Sequence, residues 1–166
     1  TPLPTPTPPV VTGEVPQYGG IYRRTDYDTL HPDPYHVLQG GALHMLTNFV
    51  NRLIEHKKPH TFGMDVELVP ALATEWSVDE TETKWTFKLR EGVTWHDGEV
   101  FDASDVVATI ERALDPALLV GRYPIQLRSI VDSMEVVDDY TIVIDTGEPN
   151  ATAIPWLSNW AMAIVP

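Results

Sequence analysis

Residues 85–106 read WTFKLREGVTWHDGEVFDASDV. Trp85, Phe87 and Leu89 alternate with Thr86, Lys88 and Arg90, the period of two that a strand with one buried face requires. Gly92 is placed for the positive φ of a sharp corner, after which Val93 and Trp95 continue the inward face and His96-Asp97-Gly98 makes a second turn. Asp102 can cap the helix that follows, with Asp105 three residues on near its positive end. Val106, Val107, Ile110 and Leu114 are its buried stripe, and Asp115-Pro116 stops it. Strand, corner, turn and capped helix in one run specify a mixed α/β surface.

Upstream, Trp76-Ser77-Val78 alternates and Asp79 to Thr83 is a polar turn, so residues 76–89 form a hairpin with one buried, aromatic-rich face. Leu68, Leu72 and Trp76 recur at helical steps, but Pro70 limits any helix there to a short turn. Leu38, Ala42, Leu46, Phe49, Val50, Leu53 and Ile54 form a longer helical stripe, with Lys57-Lys58-Pro59 as its stop. Before it, Asp26 to Pro34 is turn chemistry and Ile21 to Arg24 a first strand behind Gly19-Gly20. Residues 1–16, TPLPTPTPPVVTGEVP, hold six of the 15 prolines and read as a semi-rigid spacer, the kind of tether that stands a domain off a membrane anchor.

Downstream, residues 117–131 are apolar but broken by Gly121 and Pro124, and their pattern does not choose between helix and strand. Met134 to Val137, Asp138-Asp139 and Tyr140 to Asp145 make a second hairpin. A short segment with Trp156, Leu157 and Trp160 follows, and Ala161 to Val165 reads as a last, buried strand delivered into a larger sheet. The sequence thus reads as the front part of something longer.

The composition excludes several classes of function. At 166 residues the chain can bury roughly 70% of its unfolded surface in one core. With 24 acidic and 11 basic residues, its net charge of −13 repels phosphate backbones, so nucleic acid is not an expected partner. No apolar run approaches the ~20 residues needed to cross a bilayer, and the absence of cysteine removes thiolate zinc sites and cysteine nucleophiles. His31 and His36 lie in a proline-rich loop, His44 on the polar side of the first helix, and His56 and His60 beside its end, so their spacing makes no metal-ligand set. His96 reads as a turn histidine hydrogen-bonded by Asp97. No nucleophile elbow, phosphate loop or dinucleotide fingerprint occurs, and neither an enzyme nor a cofactor is expected. Tyr35 and Tyr123, in proline-bounded loops, offer a flat apolar face and a hydroxyl suited to a ligand.

The run from Trp85 to Val107 resembles the family 5 extracytoplasmic solute-binding proteins of ABC importers, the oligopeptide-, dipeptide- and nickel-binding group. Trp85, Thr86, Phe87, Leu89, Arg90, Gly92, Val93, Trp95, Asp97, Gly98, Ala103, Asp105 and Val106 all fit its pattern. So do Gly19-Gly20, Asp28 to Pro32, Leu68 to Trp76, Val136 to Ile144, Glu148-Pro149 and Ile164 to Pro166, which extends the likeness over residues 19–166. The resemblance implies the N-terminal portion of a type II periplasmic-binding-protein-like fold: a spacer over 1–16, and over 17–166 a first lobe strand, an inserted subdomain at about 40–150 and a return strand at about 161–166. It implies a receptor, monomeric at full length, that binds oligopeptides or dipeptides between two lobes and delivers them to a membrane permease. Oligosaccharide or a nickel chelate is the alternative ligand, and a structural or interaction module on the same scaffold the alternative function. By position in the family, Tyr35, His36, Val37, Leu38, Gln39 and Tyr123 are the ligand contacts, while residues 85–106 are scaffold. An extracytoplasmic location, with lipid anchoring upstream of Thr1, completes the expectation.

Overall fold

The alternation around Phe87 builds the central strand of an antiparallel sheet. In a computed structural model, which describes residues 50–57, 67–118, 127–158 and 162–166, six strands and two α-helices are formed. Strands β1 (Ile54–His56) and β2 (Leu68–Pro70) make a two-stranded sheet. Strands β3 (Ala73–Val78), β4 (Lys84–Leu89), β5 (Ser133–Asp138) and β6 (Thr141–Asp145) make a four-stranded one in the order β3-β4-β6-β5. Helix α1 (Ala103–Leu114) is followed by a 3-10 turn (Pro116–Leu118), and α2 (Ala153–Leu157) is short. The spacer, the first strand at 21–24 and the first helix as far as Phe49 lie outside the described residues.

Register decides what the large sheet buries. Trp76, Phe87, Ile142 and Val136 lie side by side across its four strands, and Val78, Trp85, Ile144 and Met134 form the next row. Because side chains alternate, these rows share one face. Phe87, Ile142 and Ile144 at its centre are fully buried, joined by Val106 and Ile110 of α1. Trp76 and Trp85 are partly buried against this cluster, so the aromatic face of the hairpin holds as expected. The other face carries Glu75, Ser77, Thr86, Lys88, Thr141, Val143 and Glu135. At the outer edge the pairing of β5 slips between Val136 and Asp138, leaving Val136 and Val137 48% and 57% exposed. A bulge of this kind blunts an open strand edge.

Three turns follow the sequence closely. Asp79 Oδ1 accepts from the amides of Thr83 and Lys84, both at 3.0 Å, and organises the β3–β4 turn. Gly92 has φ +73° and open space where a Cβ would stand. A Gly92→Ala chain should therefore lose about 1–2 kcal/mol from backbone strain alone, read as a lower urea midpoint, with Gly92→Asn closer to the parent. Helix α1 has a full capping box: Ser104 N donates to Asp102 Oδ1 at 2.7 Å and Asp102 N to Asp105 Oδ2 at 3.0 Å.

Two expectations are corrected. The helical stripe through Val50, Leu53 and Ile54 does not end in a helix: residues 50–53 are non-helical and Ile54 starts β1. The carbonyls of Arg52 and Leu53 accept the amides of Leu72 and Ala73 at 2.9 and 2.8 Å, so a distant segment replaces the local helical ladder. Lys57 accordingly stops no helix; its Nζ pairs with Glu67 at 2.7 Å where β1 and β2 are joined. The second correction concerns the return strand, since residues 162–166 belong to no strand. Met162, Ala163 and Ile164 are buried as expected, but both peptide groups of Val165 are taken by a side chain. The Thr109 hydroxyl donates to Val165 O at 2.8 Å and lies 3.0 Å from Val165 N, which donates to it.

Candidate functional site

The six positions expected to touch ligand, Tyr35, His36, Val37, Leu38, Gln39 and Tyr123, lie outside the described residues. The structure does fix the frame on either side of the segment containing Tyr123. Arg128 donates from Nε to Leu114 O at 3.1 Å and from Nη2 to Asp115 O at 2.8 Å, capping the carbonyl end of α1. Pro116–Leu118 and Leu127 are thereby anchored on the same helix end. Sequence reasoning passed over Arg128; its signal was a cation soon after a helix stop.

The motif at 93–101 forms the wall of a cavity of about 280 Å³. Thr94 and Val100 make a bridge, Trp95 N donates to Glu99 O at 2.8 Å, and the His96-Asp97-Gly98 turn lies between them. Trp95 meets Phe101 edge to face at 5.8 Å, and its indole Nε1 donates to Asp105 Oδ2 at 3.0 Å. The carboxylate that caps α1 therefore also locks the tryptophan. Opposite stand Val50, Asn51, Leu72 and Ile164, so the lining is largely apolar.

His96 is exposed, and Asp97 Oδ1 accepts the amide of Glu99 at 3.1 Å. The expected His96–Asp97 hydrogen bond is thus replaced by an Asp97 turn bond to the backbone, because the Asp side chain reaches two residues forward more readily than sideways. His56, expected beside a helix end, sits at the end of β1 with Nε2 3.0 Å from Ser158 Oγ. Among the described residues no cluster of three His, Cys, Asp or Glu side chains could hold a metal ion.

Three aspartates have carboxyl groups held below the ordinary value by hydrogen bonds: Asp79 by Thr81 and the β3–β4 turn amides, Asp102 by Ser104, and Asp138 by Thr141 and Tyr140. A depressed folded-state pKa adds stability above the unfolded value, and that stability is lost as pH falls through the folded value. The contribution of these three aspartates is therefore lost as pH falls from the ordinary aspartate value through their depressed ones. Carboxyl ¹³C titration should place all three midpoints below the ordinary aspartate value.

The architecture is that of a type II periplasmic binding protein. A solved ABC transporter-associated periplasmic binding protein, DppA from Helicobacter pylori in complex with peptide STSA, superposes with a TM-score of 0.67 at 28% identity, covering 81% of this chain and 28% of that one. The family model "Bacterial extracellular solute-binding proteins, family 5 Middle" matches residues 67–166, and the chain belongs to that family. Heme-binding protein A of Haemophilus influenzae is 34% identical over 135 residues, 72% of this chain and 24% of the relative. A probable di/tripeptide-binding protein of Pseudomonas aeruginosa is 32% identical over 147 residues, 76% of this chain and 27% of the relative. The chain spans about a quarter of the length of these curated relatives.

Proposed function

We propose that these residues are part of an extracytoplasmic receptor that captures oligopeptides or dipeptides for an ABC permease. The match over residues 67–166 carries this reading, and the relatives whose names specify di- or tripeptides support the ligand class. Relatives named for heme and glutathione mark how far ligands diverge on the scaffold. Residues 40–150 form an inserted subdomain in this proposal, with the binding cleft built from Tyr35 to Gln39, Tyr123 and a second lobe. One geometric feature supports the insertion: Ile164 N donates to Asn51 O at 2.9 Å, so chain entering and leaving the unit runs side by side. Adjacent ends are what an inserted unit needs. Lipid anchoring beyond the proline-rich residues 1–16 belongs to the same proposal.

Cleft closure supplies much of the binding free energy in two-lobed receptors. Residues 1–166 alone should then bind tri- to pentapeptides at least a hundredfold more weakly than a polypeptide of the relatives' length carrying this sequence. Titration calorimetry on both checks it. Micromolar peptide affinity in the 166-residue chain would overturn the two-lobed reading, and failure of the longer polypeptide to bind any peptide would overturn the ligand class.

A further inference from the structure

Thr109 is a polar residue in the middle of an apolar helix face. It is 1% exposed and lies among Val106, Ile110 and Ala113, the buried residues of α1. The helix has no need of its hydroxyl, because valine matches threonine in shape and nearly in helix propensity. Val165 uses it instead: the hydroxyl donates to Val165 O at 2.8 Å and accepts from Val165 N at 3.0 Å. Among the described residues no other hydrogen-bond partner is shown for either backbone group of Val165.

The two bonds hold a segment that no strand ladder holds, since residues 162–166 belong to no strand. On its other side Ile164 N donates to Asn51 O at 2.9 Å. A single backbone bond fixes a distance. A hydroxyl that donates to and accepts from one residue also fixes that residue's orientation, and here it does so from a helix whose own start is locked by the Asp102/Asp105 capping box.

We propose that Thr109 is a positioning residue, whose hydroxyl is the latch that sets how the return segment sits against the inserted unit. This rests on the receptor reading above, in which Thr109 lies inside the unit at 40–150 and Val165 in the segment returning to the lobe. In that reading Tyr35 to Gln39 precede the unit and Tyr123 lies within it. The spacing of these two groups of contacts then depends on how the unit is hung from the lobe.

Thr109→Val removes the hydroxyl at nearly constant shape, whereas Thr109→Ser keeps the hydroxyl and loses a buried methyl. In ¹⁵N-labelled 1–166 the Val165 amide of Thr109→Val should exchange about tenfold faster or more, with the β4 amides unchanged and Thr109→Ser at the parent rate. In a polypeptide of the relatives' length, Thr109→Val should bind tri- to pentapeptides about fivefold more weakly or worse, and Thr109→Ser as the parent does. A packing role alone would make Thr109→Ser the weaker binder of the two. Parent-like exchange in Thr109→Val would overturn the latch, and faster exchange with unchanged peptide affinity would overturn its positioning role. Should Thr109→Val not fold, Thr109→Ser decides, since faster Val165 exchange there overturns the latch and the parent rate supports it. Failure of the long parent polypeptide to bind any peptide overturns the receptor reading and the positioning role with it, while the exchange rates still decide the latch.

Discussion

A Phe87→Ala chain is expected to lose about 3–5 kcal/mol of stability, a large part of the about 5–15 kcal/mol that holds an ordinary domain folded. Phe87 is fully buried on the central strand β4, with Trp76 and Ile142 as its neighbours on β3 and β6. Helix α1 brings Val106 and Ile110 to the same cluster, so a cavity at this point loosens both layers at once. Neither neighbouring strand can collapse into the space without breaking its ladder, which puts the cost toward the upper end. Urea unfolding followed by tryptophan fluorescence should show the midpoint falling steeply. A Val137→Ala chain, altered at the exposed bulge of β5, should stay within about 0.5 kcal/mol of the parent.

The second large effect belongs to Asp105. Its Oδ2 accepts from both the Asp102 amide and the Trp95 indole, each at 3.0 Å. Asp105→Ala removes half of a capping box and leaves a partly buried indole donor without its carboxylate. Together these losses amount to about 2–3 kcal/mol. Trp95→Phe, which removes donor and not acceptor, should cost less, because the Asp102 bond survives and the edge-to-face contact with Phe101 can re-form. Amide exchange separates the two causes: Asp105→Ala should expose the amides of the first turn of α1, and Trp95→Phe should not.

The Asp105 geometry also shows how residues 85–106 work. Their aspartates and glycines are committed to local structure. Asp97 makes the turn, Asp102 and Asp105 make the cap, and Gly92 and Gly98 take the positive φ values of +73° and +97°. This run builds the frame of the main sheet and of α1.

Local signals carried the hairpins, the capped helix and the family, because each is encoded within a dozen residues. Alternation placed Phe87 and Ile142 inside, and the Asp102/Asp105 spacing placed the helix start within one residue. Where a partner distant in sequence competes for the backbone, the local pattern misleads. The stripe at Val50, Leu53 and Ile54 is as helical as any in the chain, yet Leu72 and Ala73 claim the carbonyls that a helix would use. At Ile164 and Val165 an apolar run implied a strand, but the Thr109 hydroxyl, 56 residues away, takes both polar groups of Val165, while Ile164 N donates to Asn51 O.

The same division holds for charge. Sequence composition set the net charge, and with it the expectation against a nucleic-acid partner, since that depends on totals alone. Nothing in the composition distinguishes Arg52 from Arg90, which is exposed and donates from Nε to Ala71 O at 3.0 Å. The meeting of residues 52–53 with 72–73 places Arg52 among core residues, buried and with its Nε unpaired. By itself, then, the sequence determined the family, the two hairpins, the capped helix and the buried face of the main sheet, all properties of neighbours along the chain. The tertiary structure decided which backbone groups are taken, which charge is buried and which carboxylate serves two donors, because those depend on which distant residues share the same few ångströms.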